Sequence, residues 1–143
     1  MANDGEMPAG APVIRIVAAV IVDAGGKLLL VRKQGTRAFM LPGGKLARGE
    51  SALDALAREL EEELGCQIAP APRPLGRVRE AAANEPGAVV EADLFAVEPL
   101  GDIAPAAEIE EMRWHDPDAP VAFVLAPLAR AHVLPLVRAW NAA

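Results

Sequence analysis

Three glutamates, Glu59, Glu62 and Glu63, have a spacing that would place their carboxylates together on one face of a helix. Residues three and four positions apart are neighbours on an α-helix, and Glu59 stands in that relation to both of the others. Such carboxylates repel one another by about 0.2–0.5 kcal/mol per pair. A divalent cation would offset the repulsion, and all-oxygen ligands suit Mg²⁺ or Mn²⁺. The spacing therefore has two interpretations, a metal site that serves phosphate chemistry or a solvated acidic face.

The residues around these glutamates predict a helix with defined ends. Ser51 precedes the helix, and Asp54 follows three residues later in the pattern of a capping box. Gly65 can adopt the left-handed conformation that ends a helix. Leucines recur at spacings of three and four and predict the buried face, namely Leu53, Leu56, Leu60 and Leu64. A helix buried along this stripe would leave the three glutamates on a different face.

A turn with little side-chain bulk leads into this helix. Pro42 is followed by Gly43 and Gly44, which have no Cβ, so the backbone there can approach a ligand closely. Two adjacent glycines alone usually mark only a turn. The significance of this loop therefore depends on the segment that follows it.

The order of fixed residues from the loop to the end of the helix resembles the Nudix box. That pattern is G-x5-E-x7-R-E-U-x-E-E-x-G-U, where U is aliphatic. The matching positions are Gly44, Glu50, Arg58, Glu59, Leu60, Glu62, Glu63 and Gly65. Cys66 stands at the last aliphatic position, where a small apolar residue should alter packing more than chemistry. So many fixed positions at fixed spacing favour the metal interpretation over the solvated acidic face.

The resemblance implies a function for individual residues. The positions that it implies for Mg²⁺ or Mn²⁺ are Gly44, Glu50, Glu59, Glu62 and Glu63. Glu50 would bind the ion or support one of its ligands. Arg58 would orient the metal-binding glutamates, and Gly43, Gly44 and Lys45 would lie beside the diphosphate of the substrate. The implied reaction is metal-assisted hydrolysis of a nucleoside diphosphate linked to another group, X.

Family members often use one more acid, from a loop well downstream of the box, as a metal ligand or general base. In residues 106–114 the favoured candidate is Glu108 and the next is Glu111, although each could instead be a solvated charge at a strand edge. Arg37, with Arg32 and Lys33, could contact a substrate phosphate or could be an ordinary surface charge. The resemblance leaves these alternatives open.

The sequence lacks the features that mark several substrate classes among short Nudix proteins. The chain has no tyrosine, which often marks diadenosine polyphosphate hydrolases downstream of the box. Residues 80–82 lack the proline that ADP-ribose enzymes often carry there, and the extended motif of NADH hydrolases is absent. A (d)NTP pyrophosphohydrolase is therefore the first choice, followed by an ADP-ribose or nucleotide-sugar pyrophosphatase. A nucleotide-binding sensor without turnover is the alternative of another class, and an acidic metal-storage domain is less favoured still.

The composition of the chain bounds its class. Its 143 residues and mass of 15.0 kDa suit one domain, predicted over residues 13–143. A net charge of −6 and a pI of about 4.9 argue against a general nucleic-acid-binding surface. The single cysteine, Cys66, excludes an internal disulfide framework and suits the cytoplasm. No segment approaches the roughly 18 uninterrupted apolar residues of a membrane span.

The remaining features are expected to be structural. Residues 1–12 lack the basic start and apolar core of a signal peptide and are predicted to form a flexible tail. His115 and His132 are isolated from other candidate ligands, and Trp114 is expected to serve packing. Nudix proteins are often dimers, and the apolar termini of this chain allow a homodimer.

The predicted elements fit an α/β (α+β) fold. Residues 13–22 and 27–32 are expected to form one hairpin, residues 75–83 and 88–97 a second, and residues 109–114 a short strand. Residues 127–140 are helical in composition, with Pro135 expected to kink or interrupt the helix. The Nudix resemblance implies the same arrangement, an α/β/α sandwich around a mixed β-sheet.

Overall fold

A four-stranded mixed sheet lies at the centre of the fold in a computed structural model that describes residues 10–143. Most of the predicted N-terminal tail lies outside these residues. The strands are β1 (Val13–Val20), β2 (Leu28–Lys33), β3 (Gly43–Lys45), β4 (Gln67–Ile68), β5 (Arg73–Ala81), β6 (Val89–Ala96), β7 (Pro99–Leu100) and β8 (Ile109–His115). The helices are α1 (Ala52–Leu64) and α2 (Leu134–Ala142), and α2 follows a π-helical segment, Ala129–Val133.

The central sheet has the strand order β3-β1-β6-β5. β1 runs parallel to β6, whereas β1 with β3 and β5 with β6 are antiparallel pairs. β2 and β8 form a separate antiparallel pair, as do β4 and β7. The sheet is therefore mixed, as predicted.

The first predicted hairpin is present only at its turn. The Leu29 backbone N–H donates to the Ile21 carbonyl at 2.9 Å, and the Asp23 N–H donates to Lys27 at 3.0 Å. Beyond these residues the strands separate, because both edges of β1 are occupied by β3 and β6 while β2 pairs with β8. The second predicted hairpin is confirmed in β5 and β6, which are joined by residues 82–88.

The Gly-Gly segment, predicted as a turn, forms the edge strand β3. Gly43 pairs with Ala18 and has a φ of 148°. A Cβ at Gly43 would collide with the Val17 carbonyl oxygen, so only glycine allows the two backbones to approach this closely.

Helical layers cover both faces of the sheet. On one face, Leu56, Leu60 and Leu64 of α1 are fully buried against alternate residues of β1. Leu53, predicted to share that stripe, is instead 40% exposed, whereas Ala55 in the same first turn is fully buried. On the other face, the C-terminal helical segment buries Ala129, Val133, Leu134 and Val137. This α/β/α arrangement confirms the predicted fold.

The ends of the helices agree with the sequence prediction. The Ser51 hydroxyl accepts a hydrogen bond from the Asp54 N–H at 3.1 Å, and Gly65 ends α1 with a φ of 70°. Pro135 lies in the first turn of α2, directly after the π-helical segment, so the expected interruption of the C-terminal helix is present. None of the helices within residues 10–143 is long and apolar enough to span a membrane.

Candidate active site

Arg58 connects the helix to the loop that precedes it. Its Nε and Nη2 donate to the two oxygens of Glu50 at 2.8 and 2.9 Å, and Nη1 donates to Glu59 Oε2 at 2.7 Å. Glu62 is more distant, at 3.8 Å from Nη1. The hydrogen bonds from Arg58 lower the pKa of the Glu50 carboxyl to about 2, and they raise the pKa of Arg58. Arg58 therefore keeps Glu50 ionised and fixes the position of both Glu50 and Glu59.

Glu63 is the buried acid of the site, with only 2% of its surface exposed. Its Oε1 accepts a hydrogen bond from the Gly43 N–H at 3.1 Å, whereas Oε2 has no hydrogen-bond partner among the described residues. Burial raises the pKa of Glu63 to about 8, although the Gly43 N–H and the positive charge of Lys33 oppose this shift. The site thus contains a carboxyl group whose ionised form requires a positive charge beside it.

Glu59 lies directly against the backbone of Gly44. A Cβ at Gly44 would be 2.6 Å from Glu59 Oε2 and 2.5 Å from the carboxyl carbon, well inside van der Waals contact. The Glu59 side chain on α1 reaches β3 only because Gly44 has no side chain of its own. Gly44 therefore allows the Glu59 carboxylate to lie against β3.

A cavity of about 530 Å³ extends from Gly43, Gly44 and Glu59 to the face of the sheet opposite α1. Its charged part is lined by Lys33, Lys45, Glu59, Glu62 and Glu108, together with Gly43 and Gly44. Its aliphatic part is lined by Ile14, Ile16, Val90, Leu128 and residues 81–83. Ile14 and Ile16 are two positions apart on β1, so both lie on the face of the sheet that packs against the C-terminal helical segment. The sequence analysis missed this wall. The period-two geometry of a strand is the signal that would have placed Ile14 and Ile16 on one face.

Of the two downstream acids, the structure brings Glu108 to this cavity. Glu108 Oε1 is 3.2 Å from Lys33 Nζ, and both residues line the cavity. Glu111 instead pairs with Arg32 at 3.4 Å and with Arg113 at 3.1 Å, away from the cavity lining. Lys33, which the sequence left undecided, is thus the cation nearest to the downstream acid.

Arg37 does not line the same cavity as the glutamates. It borders a second cleft, of about 590 Å³, with Phe39 and Phe123. Thr36 lines both spaces, so the cleft adjoins the cavity. The predicted contact of Arg37 with a substrate phosphate would therefore have to be made from this second cleft.

The two histidines and Trp114 have structural surroundings. His115 is buried with its ring 5.2 Å from that of Phe123, and burial lowers its pKa. His132 Nε2 lies 3.2 Å from Glu80 Oε2. Trp114 packs, partly buried, against the core beneath α1. None of the three lines the cavity.

The residues of the charged part fit a divalent cation by their donor atoms. Within residues 10–143, no three carboxylate, imidazole or thiol side chains converge closely enough to hold a metal ion by themselves. However, Glu63 Oε2 is buried without a partner, which is costly unless a cation or donor binds it. Glu59 and Glu62 add further oxygens, and hard oxygen donors are those that Mg²⁺ takes.

Comparison with known proteins supports the resemblance to the Nudix family. Residues 12–137 match the NUDIX domain. A CTP pyrophosphohydrolase of Escherichia coli (strain K12) is 30% identical over 130 residues, which cover 88% of this chain and 90% of that protein. Two solved structures share the fold. A NUDIX hydrolase from Nitrosomonas europaea matches with a TM-score of 0.69 and 28% identity, over 92% of this chain and 89% of that one. The MutT protein from Methanosarcina mazei Go1 matches with a TM-score of 0.74 and 24% identity, over 95% of this chain and 100% of that one.

The chain belongs to the Nudix family, and it is a Nudix hydrolase. The predicted family, fold and enzyme class are therefore confirmed. Nudix hydrolases in general depend on a divalent metal ion and act on small nucleotide substrates.

Proposed function

We propose that this chain is a Mg²⁺-dependent pyrophosphohydrolase of nucleoside triphosphates, with Mn²⁺ as an alternative ion. The observation that carries the proposal is the single cavity in which box carboxylates and an aliphatic wall lie side by side. Phosphates suit the charged part, whereas a nucleobase suits the apolar part. The similarity to a CTP pyrophosphohydrolase supports the same substrate class.

Glu59, Glu62 and Glu63 would hold the metal ion, with the Gly44 backbone beside them. When bound, the ion supplies positive charge that stabilises the phosphoryl oxygens in the transition state. Arg58 keeps Glu50 ionised, and it holds Glu59 and Glu50 in place through three short hydrogen bonds. Lys45 and the backbone of Gly43 would contact the diphosphate.

Glu108 would act as the general base. Its carboxylate takes a proton from a water molecule, which attacks a phosphorus of the triphosphate. Lys33 Nζ, 3.2 Å from Glu108 Oε1, would orient the carboxylate. The P–O bond opposite the attacking water breaks, and the products are a nucleoside monophosphate and pyrophosphate.

A nucleoside diphosphate linked to a larger group is the second candidate substrate. The Arg37 cleft adjoins the cavity at Thr36 and offers a positive charge with two aromatic rings. The sugar of ADP-ribose or of a nucleotide sugar could extend into this cleft. The triphosphate remains the first choice because it requires only the cavity itself.

Hydrolysis of a panel of substrates tests the proposal. The panel contains the eight common (d)NTPs, ADP-ribose, nucleotide sugars and dinucleoside polyphosphates, each with Mg²⁺ or Mn²⁺. We expect pyrophosphate release from triphosphates. Glu62→Gln should abolish this activity without loss of the fold, because its side chain is 55% exposed and carries no core contact. Full activity in that variant contradicts the role of the box carboxylates, and tight nucleotide binding without cleavage of any substrate favours a sensor.

A further inference from the structure

The turn between β5 and β6 reaches across a neighbouring strand to the charged part of the cavity. Glu85 lies in this turn, and its Oε1 is 3.6 Å from Lys45 Nζ on β3. The strand order β3-β1-β6-β5 places β1 between the two partners. The ion pair therefore connects two segments that β1 separates in the sheet, and both of its residues line the cavity.

The register of the strands shows what lies beneath this ion pair. Lys45 is opposite Ile16, and Ile14 is opposite Val90 on the next strand. Ile14 and Ile16 point to the same face, about 7 Å apart along β1. A path from Lys45 to the aliphatic wall thus crosses Ile16 and then Ile14 before it reaches Val90. Glu85 forms its ion pair with Lys45 at the start of that path.

A nucleotide has the same order of parts, since its sugar separates the phosphates from the base. If the phosphates lie at Lys45 and the base lies against Ile14 and Val90, then the sugar lies next to Glu85. An ionised carboxylate only accepts hydrogen bonds, whereas ribose hydroxyls donate them. Among the residues described, Lys45 is the only ion-pair partner of the Glu85 carboxylate, so acceptor capacity remains for a ligand.

We propose that Glu85 recognises the sugar of the substrate by accepting hydrogen bonds from its ribose hydroxyls, while Lys45 holds the Glu85 carboxylate in position. The proposal rests on the proposed function, since it assumes that a nucleotide occupies the cavity. It makes the chain selective for ribonucleotides over deoxyribonucleotides, because removal of a hydroxyl leaves the carboxylate with one fewer donor. Glu85 is a specificity residue in this scheme and takes no part in the chemical step.

Matched pairs of triphosphates test this selectivity. We would measure kcat and KM for each NTP and its dNTP with the wild-type chain, Glu85→Ala and Glu85→Gln. The wild type should favour the ribonucleotide by about tenfold or more, as expected for a lost hydrogen bond to a charged group. Glu85→Ala should bring the ratio close to one, mainly through KM. Glu85→Gln retains an acceptor oxygen and should have an intermediate ratio.

A second measurement separates this inference from the proposed function. Isothermal calorimetry of CMP and dCMP, without metal, reports sugar recognition whether or not the chain hydrolyses any triphosphate. Glu110→Ala is the matched control, because Glu110 is an exposed glutamate that does not line the cavity. Wild type and Glu110→Ala should bind CMP more tightly than dCMP, and Glu85→Ala should bind them equally. The same ribose preference in wild type and Glu85→Ala, or no preference in either, overturns the assignment.

Discussion

The backbone N–H of Gly43 on β3 donates a hydrogen bond of 3.1 Å to Glu63 Oε1 on α1, across 20 positions of the sequence. This bond fixes one oxygen of the buried carboxyl group and leaves Oε2 without a partner among the described residues. It also sets the distance between helix and strand at the place where Glu59 meets Gly44. One contact thereby positions two of the proposed metal ligands.

The ionisation of Glu63 should make the stability of the metal-free protein depend on pH. Burial raises its pKa to about 8 from an ordinary value of 4.5. The folded state then retains a proton that the unfolded state has released, so the free energy of unfolding falls as the pH rises from about 4.5 to about 8. Glu63→Gln removes this titration, and should be more stable than wild type at pH 8 by on the order of a few kcal/mol. Urea denaturation in metal-free buffer across this range measures the difference.

Glu110→Gln serves as the control in the same experiment, since Glu110 is exposed and its removal should leave the profile unchanged. Addition of Mg²⁺ at pH 8 should raise the denaturation midpoint of the wild type more than that of Glu63→Gln, because a cation stabilises the ionised carboxylate. If wild type and Glu63→Gln lose stability in parallel between pH 4.5 and 8, then Glu63 is not the group that titrates.

Substitution of Gly44 by alanine should impair the site without unfolding the chain. The added Cβ would lie 2.5–2.7 Å from the carboxyl atoms of Glu59, so that side chain must move away from β3. We expect hydrolysis to fall by about 10–100-fold, as for other changes that displace a metal ligand. Steady-state kinetics over a range of Mg²⁺ concentrations should show that the variant needs more metal for half-maximal activity.

Gly25→Ala is the matched control for this substitution. A Cβ at Gly25 meets only Asp23 Oδ1, at an ordinary distance of 3.4 Å, and neither glycine has a positive φ. The control should retain wild-type kinetics. Equal activity of Gly44→Ala and Gly25→Ala would show that the position of Glu59 does not matter for catalysis.

The choice between the downstream acids can be decided by a pair of amide substitutions. Glu108→Gln should lower kcat by about 10²–10⁴-fold, the usual contribution of a general base, with little change in KM. Glu111→Gln should remain within a few-fold of wild type, because Glu111 pairs with Arg32 and Arg113 outside the cavity. A larger loss of kcat in Glu111→Gln than in Glu108→Gln contradicts the proposed base, and comparable small losses in both point to a box carboxylate instead.

Local signals predicted the helix and its glutamates with little dependence on the rest of the fold. Ser51 and Gly65 define the ends of α1 through caps that involve only nearby residues, and the spacing of Glu59 and Glu62 follows from helix geometry. The hairpin of β5 and β6 was likewise predictable, because its strands are adjacent in the sequence. These features depend only on residues that are close in the sequence, so a motif and the spacing of apolar residues are sufficient to predict them.

The pairing of strands that are far apart in the chain could not be predicted from the sequence. β1 pairs with β3 on one edge and with β6 on the other. The local hairpin pattern of residues 13–32 does not indicate that these two strands replace β2 as partners of β1. The cavity has the same origin, since Glu108, Lys33 and Glu85 come from three distant segments that only the folded chain brings to one space. The amino-acid sequence by itself determined the family, the helix and the acids of this protein, because these depend on residue types at short range. Only the tertiary structure decided which acid is buried, which lysine meets Glu108 and which turn covers the cavity, because burial and ion pairing depend on neighbours far apart in the chain.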